Sequence, residues 1–138
     1  MQLVVDGSVI LEVCLAGGVL GPLAEHALHA PSLLPSDVTS ALREMTWRGD
    51  VAAEHGREAA QHVTRLEIVY ERPGSLVLPA WSVAEELGWA KTYDAEYVAL
   101  AVRMGVPLVT VDARLQRGAS RLVPIWSPLD LASAPQGG

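Results

Sequence analysis

Short apolar runs that stop at an aspartate constrain this chain more than any other feature. Leu3-Val4-Val5 leads into Asp6-Gly7-Ser8, and Leu108-Val109-Thr110-Val111 leads into Asp112. Runs of this length, rich in β-branched residues and bounded by turn signals, predict buried strands. Glu67-Ile68-Val69-Tyr70 and Leu122-Val123-Pro124-Ile125-Trp126 have the same character, and Ala30-Pro31-Ser32-Leu33-Leu34 predicts a brief extended segment. The stretches between them carry helical patterning. Helices are expected over residues 8–15, 21–28, 35–48, 51–66, 76–87, 92–104 and 113–119. In the sixth, Ala95, Val98, Ala99 and Val102 recur on one side, Gly105 ends the helix and Pro107 keeps it from restarting. Strands that alternate with helices predict an α/β fold with a mostly parallel sheet and helices on both faces.

The length of 138 residues fits one domain, expected over 1–130, with a loose tail of small residues over 131–138. Half of the residues are hydrophobic, which is enough for a core, and with no Phe in the chain Val, Leu and Ala must fill it. The four tryptophans, Trp47, Trp81, Trp89 and Trp126, are expected chiefly in that core. No apolar run is long enough to cross a bilayer, and the first residues lack the basic stretch of a signal peptide, so a cytoplasmic location is expected. Cys14 is the only cysteine, which excludes an internal disulfide; between Val13 and Leu15 it is expected to be a buried, inert thiol. The net charge of −6 excludes a module that coats nucleic acid by charge alone. It leaves open phosphate chemistry in which a bound divalent cation inverts the local sign.

The placement of the acids supports that chemistry. Asp6 and Asp112 follow predicted strands, and Asp37 and Asp94 fall in the first turns of predicted helices. In an open parallel sheet, strand carboxyl ends and helix amino ends share one edge, where ligands bind. Each aspartate alone is explained by helix capping and by the dipole, which favours a first-turn carboxylate by about 0.3–1 kcal/mol. Capping does not explain four carboxylates at one edge, whose repulsion costs stability unless a cation neutralises it. Oxygen-only ligands suit Mg²⁺ or Mn²⁺, and the lone Cys and scattered His residues offer no zinc site. Ser8 lies two residues after Asp6 and Thr110 two before Asp112, so either hydroxyl could orient a carboxylate or a ligand water, or simply cap a helix and favour a strand.

At these residues the sequence resembles the PIN-domain family, more narrowly its VapC-type toxins. Val4-Val5-Asp6-Gly7-Ser8 is similar to the family's opening, an apolar strand followed by Asp-x-Ser/Thr. The block from Ala30 to Val38 is similar to the segment that leads into an acidic residue on a helix. Tyr93-Asp94-Ala95-Glu96-Tyr97-Val98-Ala99-Leu100-Ala101 and Pro107-Leu108-Val109-Thr110-Val111-Asp112-Ala113-Arg114-Leu115 resemble the third and fourth blocks more specifically. The resemblance covers about residues 1–130 in order and spacing. It implies a PIN-like three-layer α/β/α fold and a Mg²⁺- or Mn²⁺-dependent endoribonuclease. It also implies a homodimer, an RNA substrate and a VapB-like antitoxin partner. Asp6, Asp94 and Asp112 would be the principal metal ligands, and Asp37 a ligand, directly or through water, or the group that orients the attacking water. The family usually carries Glu at that second position, so Asp37 sets its carboxylate one methylene further back. Two rivals remain: a catalytically weak or inactive PIN-like interaction module, and a phospho-receiver or phosphatase. The latter needs an Asp nucleophile with a Lys near the phosphate, and Lys91, the only lysine, precedes a helix rather than ending a strand.

Other polar residues carry weaker signals. Arg43, Arg48, Arg57 and Arg65 could contact phosphates, or be solvated partners of Glu44, Glu54 and Glu58. His55 and His62 are seven apart, too far for a helical metal pair. Glu96 should point away from Asp94, and Glu12 lies near the expected crevice. Val9, Ile10 and Leu11 form an apolar face suited to packing on the sheet or to a partner.

Overall fold

In the computed structural model, which describes residues 1–133, five strands form one parallel sheet in the order β3-β2-β1-β4-β5. The strands are β1 (Gln2–Val5), β2 (Ala27–Ala30), β3 (Ile68–Tyr70), β4 (Leu108–Val109) and β5 (Ile125–Trp126). Seven α-helices connect and follow them: α1 (Gly7–Leu15), α2 (Leu34–Trp47), α3 (Ala53–Val63), α4 (Val77–Leu87), α5 (Tyr93–Met104), α6 (Ala113–Ala119) and α7 (Pro128–Ser133). The chain lays down β1, β2 and β3 in one direction, then returns to the other side of β1 with β4 and β5. The order therefore reverses between β1 and β4, and a crevice opens there at the strand carboxyl ends.

Leu3, Val4 and Val5 are all fully buried. Successive strand residues point to opposite faces, so burial of three in a row means that helices cover both sides of β1. This is the three-layer α/β/α arrangement. On β1 and β4 the pairing of Val4 with Leu108 and Val5 with Val109 sets the register that later brings Asp6 beside Thr110. α5 packs beneath both strands. Its Ala95, Val98, Ala99 and Ala101 are small, which lets the helix approach closely, while Tyr97 and Leu100 fill the remaining depth. Gly105, at φ 68°, supplies the left-handed cap that turns the chain into β4.

Three expectations need correction. Residues 21–28 are not one helix: Gly21–Leu23 form a single 3₁₀ turn, and Ala27–Ala30 are strand β2. Ala and Leu favour helix locally, but pairing on both sides, with β1 and β3, satisfies the backbone and buries Leu28 and Ala30. The extended segment foreseen at Ala30–Leu34 accordingly lies a few residues earlier. The tryptophans are not chiefly core: Trp47 is 78% and Trp81 61% exposed, and only Trp89 and Trp126 pack against the interior. The loose tail does not begin at 131, because α7 runs through Ser133 and buries Leu131; the rest of that tail, residues 134–138, lies outside the described residues. Cys14 is buried as foreseen, and burial pushes its thiol up to about 11. Among the described residues no helix is long and apolar enough to cross a membrane.

Leu100 is fully buried where α5 meets the sheet. Leu100→Ala should cost about 2–5 kcal/mol by leaving a cavity. Urea unfolding measures this, and a loss under 1 kcal/mol would show that α5 does not bear on the core as described.

Candidate active site

Asp6 is the first residue after β1 and the N-cap of α1. Its extended backbone (φ −100°, ψ 176°) turns the side chain back, and Oδ1 accepts the Val9 N–H at 3.1 Å. Two hydroxyls complete its surroundings. Ser8 Oγ donates to Oδ1 at 2.8 Å and reaches Oδ2 at 3.0 Å, while Thr110 Oγ1, arriving from the end of β4, donates to Oδ2 at 2.5 Å. The hydroxyls lie 3.2 Å from each other. They are tied down in turn by the Val111 N–H on Ser8 Oγ and the Asp112 N–H on Thr110 Oγ1. The corner after β1 and the corner after β4 are thus bonded together through the Asp6 carboxylate. Asp6 is 4% exposed, and burial pushes its pKa up to about 6 against the pull of Thr110, Ser8 and Val9, with the charge of Asp112 adding to the rise.

The other three acids approach from separate helices. Asp112 N-caps α6 and accepts from the N–H groups of Arg114 (2.9 Å) and Leu115 (3.3 Å). Asp94, in the first turn of α5, is raised above the usual carboxylate range by burial, opposed by Arg114 and reinforced by Asp112 and Asp37. Asp37, in the first turn of α2, accepts the Tyr97 hydroxyl at 3.0 Å. Burial, and then the Asp37 charge, hold the Tyr97 phenol well above its ordinary range, so it serves Asp37 as a donor. Gly7 has no side chain for a reason visible here: a Cβ would stand 3.0 Å from Asp37 Oδ2.

All four aspartates line one cleft of about 210 Å³, with Gly7, Ser8, Leu11 and Tyr97 among its walls. Among the described residues no three His, Cys, Asp or Glu side chains stand close enough, as they lie, to hold a metal ion. The positive charge between the acids is Arg114, whose guanidinium is 3.8 Å from both Asp94 and Asp112. Thr110 faces Asp6 more directly than it faces Asp112. Glu12 and Glu96 do not line the cleft. His55 is engaged with the Leu15 carbonyl at 2.8 Å, His62 lies under Gly18, and Arg48 pairs with Glu44 and Asp50. Arg43 and Arg57 line a separate groove between α2 and α3. Sequence reasoning missed Tyr97 and Arg114. Tyr97 had a signal, since it lies three residues after Asp94 on one helix and so shares its side.

A parallel sheet whose switch point gathers carboxylates from two strand ends and two helix starts defines a PIN-like protein. No family model matches the chain. Solved structures show the fold: that of PAE2754 from Pyrobaculum aerophilum superposes with a TM-score of 0.72, covering 97% of each chain at 21% identity. That of VapBC-1 from nontypeable Haemophilus influenzae gives 0.56, covering 94% of this chain and 99% of that one at 14% identity. Sequence relatives are nearer. A VapC ribonuclease of Mycobacterium bovis, Mb0985, and ribonuclease VapC9 of Mycobacterium tuberculosis are each 36% identical over 125 residues, 90% of this chain and 96% of theirs. Ribonuclease VapC3 of M. tuberculosis is 31% identical over 121 residues, covering 84% of this chain and 86% of its own. The chain belongs to the VapC ribonuclease family.

The Asp6 environment predicts a pH signature. Its folded pKa near 6 lies above the unfolded value near 3.8, so between these limits the folded protein holds the extra proton. The metal-free protein therefore loses stability as pH rises through about 4 to 6, and the full penalty, up to about 3 kcal/mol, is present above that window. Asp6→Asn should flatten this slope. Denaturant unfolding in EDTA at pH 4.5 and 7 measures it, and parallel profiles for the two proteins would rule out a strained Asp6. Tyr97→Phe keeps the packing and removes the Asp37 bond, so it should cost only about 1 kcal/mol in the same assay.

Proposed function

We propose that this protein is the toxin of a VapBC-type toxin–antitoxin pair, an endoribonuclease that hydrolyses RNA phosphodiester bonds with a divalent cation held by Asp6, Asp94 and Asp112. The single observation that carries this reading is the convergence of four distant carboxylates in one cleft at the sheet's switch point. Family membership supports ribonuclease activity and a VapB-like antitoxin; the resemblance adds a homodimer.

The donor set fits Mg²⁺ or Mn²⁺. It is entirely oxygen, the charge of Asp112 adds to the rise at Asp6 and those of Asp112 and Asp37 to the rise at Asp94, and a hard cation would relieve that repulsion. When bound, such an ion activates a water and stabilises charge on the phosphate. The protein's part is positional. Ser8 and Thr110 fix both oxygens of Asp6, so the buried ligand is oriented before any ion arrives. Asp94 and Asp112, each 3.8 Å from the Arg114 guanidinium, would hold the ion in its place. Asp37, more exposed and held by Tyr97, is placed to accept a proton from the attacking water rather than to bind in the depth of the site. The inactive-module reading rests on Asp37 in place of Glu, and the same experiment decides it.

Purified protein should cleave single-stranded RNA in Mg²⁺ or Mn²⁺ and stop in EDTA. Asp6→Asn and Asp94→Asn should each lower cleavage by about 100-fold or more while the fold is kept, because several kcal/mol of charge stabilisation is lost. Mn²⁺ should raise the melting temperature of the wild type and not of these variants. Cleavage that persists in EDTA, or in the Asp94→Asn protein, would overturn the assignment.

A further inference from the structure

Beside the acidic cleft lies a larger hollow of about 530 Å³, and the two share Asp94 as a common wall. Its other walls include Trp89, Lys91, Tyr93 and Arg114. The loop that supplies them is anchored at one end. Gly88, at φ 71°, turns the chain out of α4, and the Trp89 N–H returns to the Ala84 carbonyl at 2.8 Å. The indole then lies so close to α6 that a Cβ at Gly118 would meet it at 2.9 Å. With Trp89 pinned, the residues after it face outward. Tyr93 is 64% exposed although it opens the helix that carries Asp94. Lys91, the only lysine of a chain with net charge −6, is exposed and has no carboxylate within ion-pair reach among the described residues. Arg114 stands between hollow and cleft.

An exposed aromatic ring, a second ring in the same hollow and two cations are the components that bind single-stranded nucleic acid: bases stack on the rings and the backbone runs along the charges. Their position is as informative as their type. Arg48 and Arg103 are ion-paired away from the site and Arg43 and Arg57 line the α2–α3 groove, whereas Lys91 and Arg114 adjoin the carboxylates proposed to act on a phosphate. We propose that this hollow is a nucleotide subsite, in which an unpaired base of the RNA stacks on Tyr93 against the Trp89 side while Lys91 and Arg114 meet the phosphates next to the one that is cut. This rests on the nuclease reading and names the part of the substrate that the cleft does not hold. It makes Tyr93 and Lys91 binding residues that bias which unpaired segment is presented for cleavage.

The test uses a short single-stranded RNA carrying 2-aminopurine, whose emission is quenched by stacking. Binding is followed by quenching and anisotropy in Ca²⁺ buffer, with a parallel Mg²⁺ arm read on a gel for cleavage. Tyr93→Ala should bind about ten-fold or more weakly and lose the quenching, whereas Tyr93→Phe should keep both. Lys91→Ala should weaken binding and reduce the slope of log affinity against log salt by about one. Melting temperatures should not change, since both side chains are exposed. If Tyr93→Ala and Lys91→Ala bind and quench like the wild type, the subsite is refuted, the nuclease reading stands on its own, and a protein partner becomes the better occupant of the ring. If the wild type binds with quenching but cuts nothing in Mg²⁺, the nuclease reading fails and the subsite survives. A wild type that neither binds nor quenches refutes the subsite, and its Mg²⁺ arm reports separately on cleavage.

Discussion

The bond from Thr110 to Asp6 joins two corners of the sheet that are more than a hundred residues apart in the chain, and the rest of the site hangs from it. β1 and β4 are parallel neighbours on opposite sides of the reversal in strand order. The last backbone hydrogen bond between them runs from the Asp6 N–H to the Val109 carbonyl at 3.2 Å. Beyond it the shared carboxylate joins their ends, with Ser8 closing the triangle. The arrangement has a cost, since a buried carboxylate surrounded by donors still has its charged form disfavoured by desolvation. The hydroxyls therefore hold Asp6 in one orientation without fully compensating its charge. On the proposed reading, a group kept in that condition is ready for a cation, and holding it ready would shorten the reorganisation needed at the moment of reaction.

Much of this was legible in the sequence because sheet topology converts sequence order into position. Asp6 and Asp112 could be placed at one edge without coordinates, since both follow parallel strands and that edge is common to all of them. Asp37 and Asp94 followed from the same rule applied to helix starts. What the sequence did not separate was cap from ligand, and the structure shows why: Asp6 and Asp112 each cap a helix and also line the cleft. Asp6 Oδ1 accepts the Val9 N–H, and Asp112 Oδ1 accepts those of Arg114 and Leu115. Strand β2 was hidden because Ala27-Leu28-His29-Ala30 owes its conformation to neighbours on both sides rather than to its own residues. The tryptophans misled for a related reason. Burial of a large ring depends on what stands opposite, and Trp47 and Trp81 face outward.

The acidity of the whole chain and its proposed work on RNA are reconciled by segregation. The carboxylates that count are gathered at the switch point, and the cations beside them come from the loop before α5 and the start of α6. On the proposed reading, an RNA strand approaching this region would meet positive groups and aromatic surface beside the acids proposed to hold the metal. Arg114 belongs to both regions. Its side chain is 80% exposed, so its pairs with Asp94 and Asp112 are loose and readily exchanged. It can screen the two acids while the cleft holds no ion and release them to one.

Asp37 stands where the resemblance leads one to expect Glu, and its surroundings show what the shorter residue touches. A glutamate extended from α2 would reach across the cleft; the aspartate stops at the Tyr97 hydroxyl and beside Gly7. Tyr97 is buried, on the helix that presents Asp94 one turn earlier, so α5 positions two of the acids at once, one by carrying it and one by bonding it. The lost methylene is offset by a fixed donor in place of free rotation. A carboxylate so tethered could not reach further into the cleft without giving up its tyrosine. On the proposed reading, the shorter side chain favours a division of labour in which Asp6, Asp94 and Asp112 would hold the cation and Asp37 would orient the water.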